Sequence, residues 1–223
     1  MQVKVLQNIL GANEQIAQRN RGLFRERGIF TLNIMASPGA GKTSVVLETI
    51  KRLRDRVGIA VIEGDVASSV DAERIGRENV PVVQINTQGG CHLDANMVSS
   101  ALEGLPREGI DLIIIENVGN LICPAGFALG EHRRAMIASV PEGDDKPYKY
   151  PIMFSEVDVV LLNKVDLLPY SDFDGESFRR GVGALNARAP IIEVSCRTGQ
   201  GLDEWASWLL SAMDSVRRDE AGG

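Results

Sequence analysis

The sequence predicts an α/β fold, a mostly parallel sheet flanked by helices on both faces, with an additional helix at the N-terminus. Three observations carry this. Apolar strand-like runs alternate with helical patterns from Ile29 onward. Several runs, such as Ile110-Asp111-Leu112-Ile113-Ile114-Ile115-Glu116, are almost continuously apolar, as strands buried on both faces are. The first run is followed by the Gly-rich segment Ser37-Pro38-Gly39-Ala40-Gly41-Lys42-Thr43 and then by a helical pattern, so a strand, a tight loop and a helix N-terminus follow one another.

Taken in order, residues 2–24 place apolar side chains at Leu6, Ile9, Leu10, Ile16, Ala17, Leu23 and Phe24, a helical spacing. Arg19, Arg21, Arg25 and Arg27 collect near its C-terminal end, where they complement the helix dipole. Strands are expected at 29–35, 57–63, 80–86, 110–116, 135–140, 157–163 and 190–195. Helices are expected at 42–56, 70–78, 93–103, 173–187 and 202–215. The domain reading is an N-terminal helix over 1–28, one nucleotide-binding domain over 29–216 and a frayed tail over 217–223. The stretch Glu142-Gly143-Asp144-Asp145-Lys146-Pro147 reads as a polar loop inside the domain.

Composition narrows the function classes. The 223 residues suffice for one domain with a sizeable core, and the net charge is −6. An acidic chain without a Lys/Arg block offers no electrostatic footprint for nucleic acid. No apolar run approaches the roughly 20 residues that span a bilayer. Three cysteines make no disulfide framework, and with no secretory signal the expected setting is reducing and cytoplasmic.

The loop at 37–43 has the chemistry of a phosphate cradle. Successive backbone N–H groups wrap an anion, and the helix adds its positive dipole end. Ser37, Gly39, Ala40, Gly41, Lys42, Thr43 and Ser44 are the expected phosphate-binding residues, with Lys42 on the outer phosphates and the Thr43 hydroxyl on Mg²⁺. Ala36 stands where the usual pattern opens with Gly. Ligands of open α/β sheets bind at the carboxyl ends of the strands, so Asp65, Glu116, Asn163 to Asp166 and Ser195-Cys196 are expected on the same edge. Asp65 and Glu116 are candidates for the Mg²⁺ shell or for positioning the attacking water; the sequence leaves these roles open.

Asn163-Lys164-Val165-Asp166 selects the base. A carboxylate accepts hydrogen bonds from guanine N1–H and its 2-amino group, whereas adenine presents a lone pair there. Hydrogen bonds to a charged acceptor are each worth about 1.5–3 kcal/mol. Asn163 is expected to bridge base and phosphate loop, the Lys164 stem to cover the ring, and the backbone N–H of Cys196, after Ser195, to meet guanine O6. GTP and GDP are therefore the expected nucleotides.

Cys91-His92 follows Gly89-Gly90, ahead of a helix expected near Leu93, and Cys123 lies in the loop after Glu116. Two thiolates and an imidazole suit Ni²⁺ or Zn²⁺. Three donors leave a tetrahedral site incomplete, and two chains at a symmetric interface would supply six. Buried free cysteines and a surface histidine remain the alternative. His132 reads as an ordinary loop residue, and Cys196 belongs with the guanine loop.

Together these residues resemble the hydrogenase nickel-insertion GTPases, the HypB family, from the N-terminal helix to about Met213. The resemblance rests on 37–43, Glu63-Gly64-Asp65, Asp71-Ala72-Glu73-Arg74-Ile75, Asn86-Thr87, Gly90-Cys91-His92-Leu93-Asp94-Ala95, Glu116-Asn117-Val118-Gly119-Asn120-Leu121, Cys123-Pro124, 142–147 and 163–166. It implies a P-loop NTPase fold and a slow GTPase acting as a metallochaperone, with Cys91, His92 and Cys123 holding Ni²⁺ or Zn²⁺. It further implies a homodimer favoured by GTP and metal, a HypA-type nickel accessory protein as partner, and the [NiFe]-hydrogenase large-subunit precursor as recipient. The N-terminal Cys-x-x-Cys-Gly-Cys or His-rich segments of some members have no counterpart here, the first cysteine being Cys91, so nickel storage is not expected. The rival readings are an accessory GTPase for urease or a cobalamin enzyme, a passive metal-binding protein, and a nucleotide kinase. Asp166→Asn is expected to weaken GTP binding and favour xanthine nucleotides; unchanged guanine preference in a competition assay contradicts the base assignment.

Overall fold

The computed structural model describes residues 3–66 and 68–221, with side chains from Leu10 onward. Seven strands form one sheet: β1 (Phe30–Ala36), β2 (Ile59–Asp65), β3 (Val82–Asn86), β4 (Leu112–Glu116), β5 (Arg133–Ser139), β6 (Val159–Asn163) and β7 (Ile191–Glu193). Their order is β3-β2-β4-β1-β5-β6-β7, and every neighbouring pair is parallel. The helices are α1 (Val3–Glu26), α2 (Lys42–Leu53), α3 (Val70–Gly76), α4 (Ala95–Leu102), α5 (Lys146–Lys149), α6 (Pro151–Ser155), α7 (Gly175–Leu185) and α8 (Leu202–Ala221). Each expected strand and helix is present, with ends displaced by a few residues. The short α5 and α6 fall where the sequence reading placed a loop and its flank.

Alternation along the strands separates two faces. Leu32, Ile34, Val61, Ile114, Ile137 and Leu161 pack with Val46 and Ile50 of α2 and Trp205 and Leu209 of α8. On the opposite face Ile62, Ile113 and Ile115 pack with α1 and α4, while Met136, Val160 and Leu162 pack with α6 and α7. Between these two apolar clusters the central strand β1 turns polar residues inward. Thr31 and Asn33 are fully buried. Thr31 N–H donates to His132 Nδ1 at 3.0 Å, and Asn33 Nδ2 donates to Glu131 Oε1 at 3.2 Å.

Three expectations are corrected. His132 lies in the bend just before β5, as expected, but it is no ordinary loop residue: it is buried, stacks on Phe30 with ring centroids 5.4 Å apart, and is held neutral, its pKa lowered by burial to about 3. The inward stripe of α1 is Asn13, Ala17, Asn20 and Phe24, and Leu10 is exposed; Leu6 and Ile9 lie outside the described side chains. Asn13 and Asn20 are drawn inward because buried backbone groups out of reach of water need partners: they bond Ala128 O, Ala95 N, Ala95 O and Leu129 O at 2.8–3.0 Å. Finally, the chain from Arg217 is not frayed as far as it is described. α8 continues to Ala221, with Arg217 paired to Asp111 at 3.2 Å and Arg25 bonded to Glu220 O; 222–223 lie outside the described residues.

The fully buried Trp205 donates its Nε1–H to Thr49 Oγ1 at 2.8 Å, tying α8 to α2. Thr49→Val strands that donor, which costs about 1–3 kcal/mol. The expected lowering of Tm is about 2–4 °C per kcal/mol for a domain of this size, read by thermal unfolding.

Candidate functional site

The site is built at the carboxyl ends of the parallel strands. Gly39 and Gly41, with φ of 77° and 101°, let the chain turn from β1 into α2. Gly41 is also spatially obligatory. A Cβ there would stand 2.4 Å from Asn163 Nδ2, and that amide donates to Ala40 O at 2.9 Å. Lys164, itself at φ 61°, reaches Gly39 O with Nζ at 2.6 Å. The Asn163–Asp166 segment is thus fastened directly onto the Gly-rich loop. Asp166 Oδ1 accepts from Ser195 Oγ at 2.7 Å, and Ser195 Oγ also accepts from Thr198 N–H at 3.2 Å. Asn163, Lys164, Asp166, Leu167, Cys196 and Arg197 border a cavity of about 460 Å³ with Gly41 and Ser44. Burial raises the Cys196 pKa to about 11, so its thiol is neutral.

Gly41 and Ser44 also border a second, more polar cavity with Lys42, Thr43, Asp65 and Glu116. Thr43 Oγ1 donates to Glu116 Oε1 at 2.8 Å, and Asp65 Oδ1 accepts from Ser68 N–H at 2.7 Å. Lys42 Nζ lies 3.5 Å from Ser37 O. Of the residues expected from sequence, Gly39, Gly41, Lys42, Thr43, Ser44, Asp65, Glu116, Asn163, Lys164, Asp166 and Cys196 border these two cavities, while Ala40 and Ser195 are buried behind them and Ser37 is bonded to Glu142.

Three further residues were missed. Glu63 lies beside Glu116 in the β2–β4 register and is 2% exposed. Its two-residue spacing from Asp65 puts both on one strand face, a signal present in Glu63-Gly64-Asp65. Burial first, then the Glu116 charge, raises the Glu63 pKa to about 8; burial raises that of Glu116 to about 7. Glu142, in the polar loop, accepts hydrogen bonds from Ser37 Oγ and from Ser139 Oγ, bracing the phosphate loop from β5. Arg74 on α3 borders both cavities and pairs with Asp71 at 3.1 Å. Nothing in the spacing of Glu142 or Arg74 announced these placements.

The donor set suits a hard divalent cation. Glu63 Oε2 and Glu116 Oε2 are buried without a hydrogen-bond partner, a costly state unless a positive charge meets them. With the Thr43 hydroxyl and Asp65 they form the all-oxygen surroundings that Mg²⁺ prefers.

A second donor set lies nearby. β3 leads through Gln88-Gly89-Gly90, with Gln88 and Gly89 at positive φ, to Cys91-His92. α4 starts later than expected, at Ala95, with Asp94 Oδ1 capping Met97 N–H at 2.8 Å. Cys91 and His92 thus occupy an irregular turn and not a helix start. Cys123 begins a short 3₁₀ turn after β4. Cys91 and Cys123 are free cysteines with Sγ atoms 3.0 Å apart, and Cys91 Sγ lies 3.6 Å from His92 Nδ1. One donor atom from each of Cys91, His92 and Cys123 falls within 4.8 Å of the others. His92 packs against Phe127 in a tilted arrangement, centroids 3.9 Å apart, which restrains the ring, and burial lowers its pKa, favouring the neutral form.

The profile of the CobW/HypB/UreG nucleotide-binding domain matches residues 30–193. The hydrogenase maturation factor HypB of Escherichia coli K12 is 47% identical over 202 residues, spanning 91% of this chain and 70% of that protein. The chain belongs to the HypB family. Two crystal structures of family members superpose closely. One is the Archaeoglobus fulgidus hydrogenase maturation factor HypB, at 40% identity and TM-score 0.85, covering 91% of this chain and 99% of that one. The other is Helicobacter pylori HypB in complex with nickel, at 34% identity and TM-score 0.87, covering 92% and 96%. The fold is that of a P-loop NTPase. Among the described residues no helix is long and apolar enough to cross a membrane.

The paired acids give a pH signature. Their folded pKa values lie above the unfolded ones, so the folded state holds more protons between those limits and loses stability as pH rises through them. Below pH 6.5 the neutral His132 works the other way, because its unfolded form takes up a proton that the folded form refuses. Without ligand, Tm is therefore expected to fall most clearly from about pH 6.5 to about pH 8, and Glu63→Gln to flatten that slope, read by thermal unfolding.

Proposed function

We propose that the chain is a GTP-hydrolysing metallochaperone that assists nickel insertion into [NiFe]-hydrogenase during maturation. The observation that carries this is the convergence of Cys91, His92 and Cys123 on one point, on the loops that leave β3 and β4, the two neighbours of the Glu63- and Asp65-bearing β2 in the sheet. A sulfur–nitrogen donor set of this kind suits Ni²⁺ or Zn²⁺, and the nickel complex of the H. pylori relative supports nickel as the cargo.

GTP binds with its phosphates in the loop at 37–44 and its base against Asp166, Asn163, Lys164 and the Ser195-Cys196 turn. Thr43, Glu116, Asp65 and Glu63 would hold Mg²⁺, which would neutralise charge on the outer phosphates when bound. Lys42 adds its own positive charge there. Asp65 and Glu116 orient the attacking water. Water attacks the γ-phosphorus, the bond to the bridging oxygen breaks, and GDP and phosphate leave. No glutamine lines the phosphate cavity among the described residues, and Arg74 is engaged by Asp71; slow intrinsic turnover follows.

Three donors leave one coordination position open on a tetrahedral ion. A second copy closing over the same loops fills it, so the homodimer is favoured by GTP and metal together. The loops after Asp65 and Glu116 respond to the γ-phosphate as switch segments do. The ion passes from a HypA-type nickel accessory protein, through this site, to the hydrogenase large-subunit precursor. The free thiol pair requires a reducing compartment, which agrees with a cytoplasmic location.

Ni²⁺ affinity and dimer fraction are expected to differ between the GDP form and a form loaded with a non-hydrolysable GTP analogue, and Cys91→Ala is expected to abolish the difference. Chelator competition and native mass measurement read both. Identical affinity and identical mass in the two nucleotide states contradict the reading.

A further inference from the structure

Glu63, Asp65 and Glu116 project from the sheet face that carries α2. By strand alternation, the residues beside them, Gly64 and Asn117, belong to the opposite face. One side chain occupies that position from behind. Leu93 is fully buried, and a Cβ built on Gly64 would lie 2.8 Å from its Cγ and from both Cδ atoms. Leu93 therefore rests on bare β2 backbone, between the two acids of that strand. Its backbone N–H donates to Asn117 Oδ1 at 3.1 Å, immediately after the acid of β4.

Asn117 is itself firmly held. Its N–H donates to Ile34 O at 3.0 Å, its Oδ1 also accepts from Val118 N–H at 2.9 Å, and its Nδ2 donates to Asn33 Oδ1 at 3.2 Å. Two residues past Leu93, Ala95 is pinned through both backbone groups by Asn13 and Asn20 of α1. On the other side of Leu93, Cys91 and His92 follow directly. The metal-bearing turn is thus anchored downstream to α1 and seated, through Leu93, on the backs of the strands that carry the nucleotide-site carboxylates.

The geometry points to Leu93 and Asn117 as positioning residues that transmit the state of the nucleotide site to Cys91 and His92. The inference rests on the reading that the carboxylates attend a Mg²⁺-nucleotide and that Cys91, His92 and Cys123 hold the metal. When the strand ends adjust to the γ-phosphate, the Leu93 side chain and N–H move with Gly64 and Asn117, because a close-packed contact leaves no slack to absorb the shift. The Cys91–His92 arm is displaced relative to Cys123, and metal affinity changes with the separation of the donors. This is a second route beside the Cys123 loop, which is continuous in sequence with Glu116.

The test measures Ni²⁺ affinity of the full chain by chelator competition, loaded with GDP or with a non-hydrolysable GTP analogue, and takes the ratio. Wild type is expected to show a ratio of about fivefold or more. Leu93→Ala and Asn117→Ala keep all three donors and are expected to bind Ni²⁺ with a ratio reduced to about one, while Leu93→Met restores it. Leu105→Ala, a loss of buried volume in the same apolar cluster, controls for general loosening and is expected to keep the wild-type ratio. Asn117→Ala removes little core volume and decides the matter if Leu93→Ala does not fold. A wild-type ratio of one overturns the nucleotide–metal reading itself. A wild-type ratio that survives in Leu93→Ala or in Asn117→Ala, or that is lost equally in Leu105→Ala, overturns the transmission role alone.

Discussion

Two carboxylates buried side by side set the terms for this molecule. The parallel register of β2 and β4 aligns Glu63 with Glu116, in surroundings where each raises the cost of ionising the other. Such a pair is tolerable in two ways: by holding protons, as the raised pKa values show, or by facing positive charge. Lys42 and the helix N-terminus beside them supply part of that charge. A nucleotide-bound divalent cation would supply the rest, so the acids make the apo site electrostatically incomplete. The close packing around them makes any change at that edge costly to absorb locally.

The other half of the nucleotide site depends on geometry more than on charge. Asn163 and Lys164 bond the carbonyls of Ala40 and Gly39, so the turn after β6 and the Gly-rich loop form one unit. Gly41 is required by this closeness. The hydrogen bond from Ser195 to Asp166 fixes the carboxylate that the base assignment needs. By contrast, the metal-binding arm carries its donors in irregular backbone and borrows its order from elsewhere, chiefly from α1 through Asn13 and Asn20.

Much of this was legible in the sequence. Near-continuous apolar runs marked the central strands such as β1, β4 and β6, because residues buried on both faces leave no other pattern, and the half-buried β3 and β7 were located by their place in the alternation of strands and helices. The phosphate loop and Asn163 to Asp166 were legible because their chemistry is local to a few consecutive residues. Convergence of Cys91 and Cys123 was not derivable from spacing: they follow β3 and β4, whose ends are brought within reach by the strand order β3-β2-β4, a long-range fact. Glu63 was overlooked because its role comes from the neighbouring strand. His132, Asn13 and Asn20 were misjudged or passed over for one reason. Polar residues normally signal surface, and here they satisfy backbone and side-chain groups buried between two apolar clusters. The last turn of α8 was read as frayed because its stabilising contacts, to Asp111 and Arg25, lie far away in the chain.

The three cysteines also divide by reactivity. Cys196 is sheltered at the edge of its cavity, burial pushing its thiol up to about 11, and a protonated thiol is a poor nucleophile. The Cys123 thiol is also raised, by its bond with Cys91, so what separates the three is access. Cys91 is exposed and Cys123 half-exposed, their sulfur atoms already neighbours. Oxidants and alkylating reagents therefore meet the sulfur pair on the turns after β3 and β4 first and reach the sheltered Cys196 last, so chemical damage falls on one cluster of donors and leaves the cavity beside Asp166 intact.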